Sequence, residues 1–424
     1  MGPRRVGKTV MIHHAVDQLV RSGAKPRSIC YISVDHPIYT GCSLEDLLTA
    51  FREAGGVDFE KENSFVFLDE IQYVRAWEVQ LKTLVDTYGA PKLVASGSAA
   101  AALRMKSDES GAGRFTDFLL PPLTFHEYLQ LRDQTGLIRV SPSSGDGRIR
   151  WEATDIDALN RHFVDYLNFG GYPEAIFSPE IQADPGRFIK ADIIDKVLLR
   201  DLPSLYGIQD VQELNYLFTT LAFNTADEIS LEALSRGSGV AKNTIKRYLE
   251  YLEAAFLIKT VHRIDRSAKR FLRANFFKVY LTNPSMRSAL FSPITSSDPA
   301  MGALAETGIL SQWFHAPRPL YYGRWTGGEV DIVYLDPRQK ATWAVEVKWS
   351  DRPAERPGEL RPIVGFCETN GIKELTVTTL SAHATTKLGE VAIRFVPSSV
   401  YCYTVGYNVV RGREAYRASS REET

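Results

Sequence analysis

The chain has 424 residues, enough for about two to four domains of ordinary size. Apolar residues make up 44% and charged residues 24%, the balance of an ordinary globular protein in water. The formal net charge of −1 excludes a global field that would draw the chain onto nucleic acid or a membrane, so any such contact must come from local basic patches.

The opening MGPRRVGKTV reads G-x-x-x-x-G-K-T from Gly2 to Thr9. In this pattern glycines let backbone N–H groups wrap a phosphate at a helix N-terminus, with Gly7 just before the lysine. Lys8 would reach the β- and γ-phosphates of ATP, and the Thr9 hydroxyl would hold Mg²⁺. A helix follows over GKTVMIHHAVDQLVRSG; His13 and His14 show no ligand spacing and are expected to pack. SICYISVD (28–35), SFVFLDE (64–70) and PKLVASGS (91–98) read as buried strands, with a helix from roughly Trp77 to Tyr88 between the last two. This alternation predicts an α/β sheet. SFVFLDEIQ ends in two acids: Asp69 belongs in the Mg²⁺ shell, and Glu70 is the base that activates water. Ser96 and Ser98 close the next strand, either sensing the γ-phosphate or serving as turn residues. Arg114 in GAGRFTDF is either an arginine finger for a neighbouring subunit's nucleotide or a surface arginine.

SPSSGDGR (141–148) reads as a loop and a domain boundary, and the chain beyond it is mostly helical to about Phe223. ISLEALSRGSGVAKNTIKRYLEYLEAAFLI (229–258) has the pattern of a helix-turn-helix. Asn243, Thr244, Lys246 and Arg247 open its second helix, where DNA-reading residues sit. LIKTVHRI and FFKVYLTN flank DRSAKR as a hairpin wing, with Arg263, Arg266, Lys269 and Arg270 placed for phosphate contact. The competing reading is a winged helix used only for packing.

Two further strands, in GGEVDIVYLD and TWAVEVKW, would bring Asp331 beside Glu346, with Lys348 on the same face two residues on. Neighbouring carboxylates repel unless a cation lies between them, so they suit Mg²⁺ or Mn²⁺. Lys348 can steady charge on a phosphorane, and Glu306 on the preceding helix can complete the metal shell. This D…E-x-K set is the chemistry of metal-dependent phosphodiester cleavage; the competing reading is a solvated charged edge. Cys30, Cys42, Cys367 and Cys402 are scattered without a C-x-x-C pair, which argues against structural zinc and for a reducing compartment. No signal peptide and no run of roughly 18 apolar residues is visible, so a cytoplasmic chain without membrane contact is expected.

Together GPRRVGKT, FVFLDEIQ, VASGS, GAGRFTDFLLPPLTFHEYL, NFGGYPEAI, GEVDIVYLD and AVEVKW give a chain that resembles the prokaryotic AAA+-type ATPases whose C-terminal half carries a restriction-endonuclease-like PD-(D/E)xK domain. The resemblance runs from Gly2 to about Phe395. It implies an α/β, multi-domain protein: a P-loop ATPase domain over 1–140, a helical lid over 141–210, a winged-helix-like domain over 211–283, a nuclease-like α/β domain over 284–404 and a polar tail over 405–424. It implies ATP at Gly2, Gly7, Lys8 and Thr9, hydrolysis through Asp69 and Glu70, and a nuclease site at Glu306, Asp331, Glu346 and Lys348. The implied activity is ATP-gated cleavage of DNA by a homo-oligomer; the alternative is a nucleotide-controlled DNA- or protein-binding regulator that does not cut. Such proteins begin with a strand ahead of the P-loop, which is not seen here: either the native start lies upstream, or that strand is absent.

Overall fold

Three short parallel strands organise the first part of the chain in a computed structural model that describes residues 1–59, 62–97, 115–116, 118–142, 149–270, 275–316 and 318–422. The chain divides into two compact units, one essentially Met1–Pro121 and the other essentially Pro122–Thr424.

In the first unit β1 (Ile29–Ser33), β2 (Ser64–Asp69) and β3 (Pro91–Ala95) lie side by side with β2 in the middle. A middle strand is covered on both faces, which is why SFVFLD is apolar almost throughout. Helices Leu44–Gly55 and Trp77–Thr87 supply Leu44, Leu48, Trp77 and Leu84 to the core formed with Val66 and Leu68. Met1 takes a strand-like place, its carbonyl accepting from Leu120 N–H at 2.7 Å and its amine donating to Phe118 O.

The second unit is built on one nine-stranded sheet of order β13-β14-β12-β11-β10-β9-β7-β8-β6. Its strands are β6 (Glu228–Ser230), β7 (Ile258–Ile264), β8 (Phe276–Leu281), β9 (Leu320–Trp325), β10 (Gly328–Leu335), β11 (Ala341–Glu346), β12 (Glu374–Thr379), β13 (Ala384–Leu388) and β14 (Val391–Pro397). A separate hairpin joins β4 (Ile138–Val140) to β5 (Trp151–Ala153). Alternate residues feed two cores on opposite faces. Ile332, Val345 and Val396 pack with helices Met301–Gln312 and Ser398–Glu422, while Val333, Ala344 and Phe395 pack with helix Arg361–Asn370. The buried Gln312 amide is satisfied on both sides: it accepts from Phe125 N–H at 2.8 Å and donates to Gly308 O at 2.7 Å and to the Tyr166 hydroxyl at 2.8 Å.

Three expected boundaries are corrected. The 141–148 stretch connects β4 to β5 inside the second unit, and the chain divides at Pro121 instead. Residues 211–283 are not separated from 284–404, because β7 pairs in parallel with β9 and merges the hairpin into the large sheet. The segment from 405 is not a loose tail: it continues helix Ser398–Glu422, and Val405 and Val409 are buried. Helix Val211–Phe223 is followed by β6, helices Leu231–Ser238 and Lys242–Ala254, then β7 and β8. Among the described residues no helix is long and apolar enough to cross a membrane.

Candidate functional site

The first candidate site lies where helix Lys8–Arg21 starts. Gly7 caps it at φ 95°, a left-handed conformation that favours glycine, and a Cβ at Gly2 would sit 2.2 Å from Leu120 O. Lys8 is buried and curls back to donate to Pro3 O at 2.6 Å and Gly2 O at 3.1 Å. Burial pushes its pKa down to about 8, against the pull of Glu70 and Asp69. The Thr9 hydroxyl donates to Asp69 Oδ2 at 2.6 Å, and Tyr31 OH reaches the same oxygen at 3.2 Å. Asp69 Oδ1 accepts from the Ser96 hydroxyl and from Glu70 N–H. Glu70 has a left-handed backbone (φ 56°), and Gln72 donates to its carboxylate. Thr9 and Asp69 thus present hard oxygen donors at one point, which fits Mg²⁺ carried by a nucleotide. Ser96 serves the carboxylate; Ser98 and Arg114 lie outside the described residues.

The second site is a cleft of about 370 Å³ in the large sheet, lined by Lys278, Glu306, Glu329, Asp331, Glu346 and Lys348 among others. Asp331 lies where the β9–β10 register breaks between Val330 and Val333, a bulge that re-aims side chains. Glu346 ends β11 beside it. Three oxygens converge on the Lys348 ammonium: Glu346 Oε1 at 2.6 Å, Val347 O at 3.1 Å and Asp331 Oδ2 at 3.6 Å. Lys348 itself is half exposed, while Asp331 and Glu346 are buried. On the other side Lys278 from β8 contacts Glu329 at 2.9 Å, Glu306 at 3.0 Å and Asp331 Oδ1 at 3.1 Å. Tyr280, two residues along the same strand, donates to Glu306 Oε1 at 2.5 Å.

Burial, reinforced by Asp331, raises the carboxyl pKa of Glu306 to about 7 and of Glu346 to about 8. Asp331 is buried too, yet Lys278, Lys348 and the Val347 N–H hold it below its ordinary value. Glu346 Oε2 is buried and has no hydrogen-bond partner among the described residues. Among the described residues no three His, Cys, Asp or Glu side chains form a ready metal cluster. The Lys348 ammonium nevertheless marks a point where two carboxylates and a carbonyl meet, and an all-oxygen set around an orphaned carboxylate oxygen fits Mg²⁺ or Mn²⁺. Glu306 departs from its expected place in that shell, because its contacts are to Lys278 and Tyr280.

Lys278, Glu329 and Tyr280 were missed by sequence reasoning. The signal was present: Lys278 interrupts the apolar FFKVYL just as Asp331 interrupts its own strand, and a charge there is costly without a partner. On helix Lys242–Ala254, Asn243, Lys246 and Arg247 are exposed and Thr244 is half-buried, while Ile245, Tyr248, Leu249 and Leu252 face the core. The hairpin tip departs from a free wing. Arg266 O accepts from Asn370 at 2.9 Å, Arg270 lies 4.6 Å above the Tyr321 ring, and Arg263 donates to Arg324 O. Arg266, Lys269 and Arg270 still expose their side chains.

With this geometry in place, residues 1–129 match an AAA domain family, and together with the P-loop they identify this part of the chain as a P-loop ATPase-type domain. Residues 160–298 match a domain of unknown function (DUF8612), whose span crosses the expected 283/284 boundary and includes Lys278. An uncharacterized protein of Haemophilus influenzae is 24% identical over 295 residues, covering 68% of each chain. The uncharacterized protein MJ1637 of Methanocaldococcus jannaschii is 24% identical over 289 residues, 66% of this chain and 60% of its own. A second protein of that organism, MJ1544, is 22% identical, and the chain spans 57% of its length. The Walker-type ATPase PABY2304 of Pyrococcus abyssi aligns with a TM-score of 0.38 and 15% identity over 68% of this chain and 89% of its own.

Proposed function

We propose that the protein is an ATP-binding, divalent-metal-dependent DNA endonuclease whose P-loop domain gates the cleft in the large sheet. The observation that carries this reading is the convergence of Asp331 Oδ2, Glu346 Oε1 and Val347 O on the Lys348 ammonium. A divalent cation held by Asp331 and Glu346 would supply Lewis-acid polarisation of a phosphodiester and of the attacking water. Lys348, half exposed, swings from the carboxylates to meet the charge that develops on the phosphorus oxygens. Asp331 stays ionised because two ammoniums and a backbone N–H face it. In the P-loop domain Lys8, now on the Gly2 and Pro3 carbonyls, would reach the β- and γ-phosphates of a bound nucleotide, Thr9 and Asp69 would hold its Mg²⁺, and Glu70 would be the base that activates water. Ser98 and Arg114 remain candidates for γ-phosphate contact, Arg114 from a neighbouring subunit of a homo-oligomer. DNA lies along Asn243, Thr244, Lys246, Arg247, Arg266, Lys269 and Arg270, and the location is cytoplasmic. Plasmid nicking with Mg²⁺ by the unaltered protein and by Lys348→Ala tests the reading; equal cleavage by both overturns it.

A second reading is a nucleotide-controlled DNA- or protein-binding regulator that does not cut. It draws on Lys278, which compensates the acid cluster with a cation of the protein's own. Calorimetry with Mn²⁺ separates the two: cutting requires a site that Asp331→Asn abolishes, whereas the regulator shows no such site.

A further inference from the structure

We propose that Lys278 stands where a second cation would otherwise be, so that the cleft takes one divalent ion, on its Lys348 side. This rests on the reading of the cleft as a metal site and specifies how many ions it holds. An ammonium carries three N–H donors. At Lys278 two are given to carboxylates, Glu306 Oε1 at 3.0 Å and Asp331 Oδ1 at 3.1 Å, and Glu329 forms an ion pair at 2.9 Å. Three carboxylates thus surround the ammonium, and its side chain is only 4% exposed. Lys348 differs: it hydrogen-bonds Val347 O, is ion-paired with Glu346 at 2.6 Å and with Asp331 at 3.6 Å, and its side chain is 45% exposed.

Asp331 therefore has two differently committed oxygens. Oδ1 is held by Lys278, while Oδ2 faces Val347 N–H and the movable Lys348. An incoming ion finds Asp331 Oδ2, Glu346 and the Val347 carbonyl open to it once Lys348 moves, but finds Asp331 Oδ1, Glu306 Oε1 and Glu329 Oε1 already engaged with Lys278. Lys278 is thus a positioning residue: it fixes the angle of Asp331 and keeps the neighbouring place closed to metal.

The test is Mn²⁺ binding to the nucleotide-free full-length chain, read by electron paramagnetic resonance of free Mn²⁺. Any P-loop binding is common to all variants. The unaltered protein should show one site that is lost in Asp331→Asn. Lys278→Met should gain one further Mn²⁺ per chain, and Lys278→Met with Glu306→Gln, which restores the cluster's charge, should return to the original number. Should Lys278→Met fold poorly, Mn²⁺ is expected to raise its melting temperature more than that of the unaltered protein. Unchanged stoichiometry together with no extra Mn²⁺ stabilisation overturns the inference and leaves the cutting reading standing. A site gained in Lys278→Met where the unaltered protein has none overturns the count of one ion and sinks the cutting reading.

Discussion

The P-loop and the cleft each pair a lysine with an aspartate, but the two pairs are wired in opposite senses. In the P-loop Lys8 touches two carbonyls, Asp69 is held by hydroxyls and a backbone N–H, and the two charges share no contact. In the cleft the carboxylates are held directly by ammoniums. The first arrangement leaves a buried cation poorly compensated, which is what an anion-binding site requires before its phosphate arrives. The second leaves excess negative charge around built-in cations, which is what a metal-binding site requires. The sign of the uncompensated charge, rather than the residue types, distinguishes the two.

Removing the built-in cation of the cleft is expected to have the largest effect. Lys278→Ala should destabilise the second unit by about 3–5 kcal/mol in urea unfolding, because it strands buried carboxylates. A loss below about 1 kcal/mol would mean that the cluster relaxes and that the contrast with the P-loop is only apparent. Lys348→Ala should lower Mg²⁺-dependent cleavage by about 10²–10³-fold while changing stability little, since its head is half exposed. Lys8→Ala should weaken ATP binding by about 1.5–3 kcal/mol, roughly 10- to 150-fold by fluorescent-nucleotide titration. Unaltered binding would mean that Lys8 keeps its loop contacts when nucleotide is present.

The most direct contrast lies in pH, because the two sites titrate with opposite signs. Glu306 and Glu346 have folded pKa values raised to about 7 and 8, so the folded state binds more protons than the unfolded one from the ordinary carboxylate range up to about 8. Without metal, stability should fall as pH rises through that window, and Glu346→Gln should flatten the fall. Lys8 is pushed down to about 8, so between about 8 and its ordinary value of 10.5 the unfolded state binds the extra proton. Its contribution should grow with pH there, and Lys8→Met should remove that growth. Urea melts across pH 5–10 read both slopes.

Much of this was legible in local sequence. The P-loop, the two acids ending β2 and the hairpin bearing Asp331 and Glu346 are short-range patterns of glycine, alternating apolar residues and charge. Strands β9 and β13 and helix Arg361–Asn370 were not seen: ATTKL is polar and edge-like, and RPIVGFCETN is too short to display its period. The stretch from residue 405 looked loose because its sequence from Arg411 onward is polar, although Val405 and Val409 are buried.

The sequence by itself determined which groups are the candidates for chemistry, since a lysine, a threonine and a carboxylate at set spacing are the groups that phosphate and magnesium binding call for. Tertiary structure decided which charges compensate which. Lys278 reaches Asp331 although β7 and β9 stand between their strands in the sheet order, and Glu306 arrives from a helix. Such contacts depend on register, bulge and helix packing over 28 to 53 residues of chain, none of which is written in the spacing of neighbouring residues.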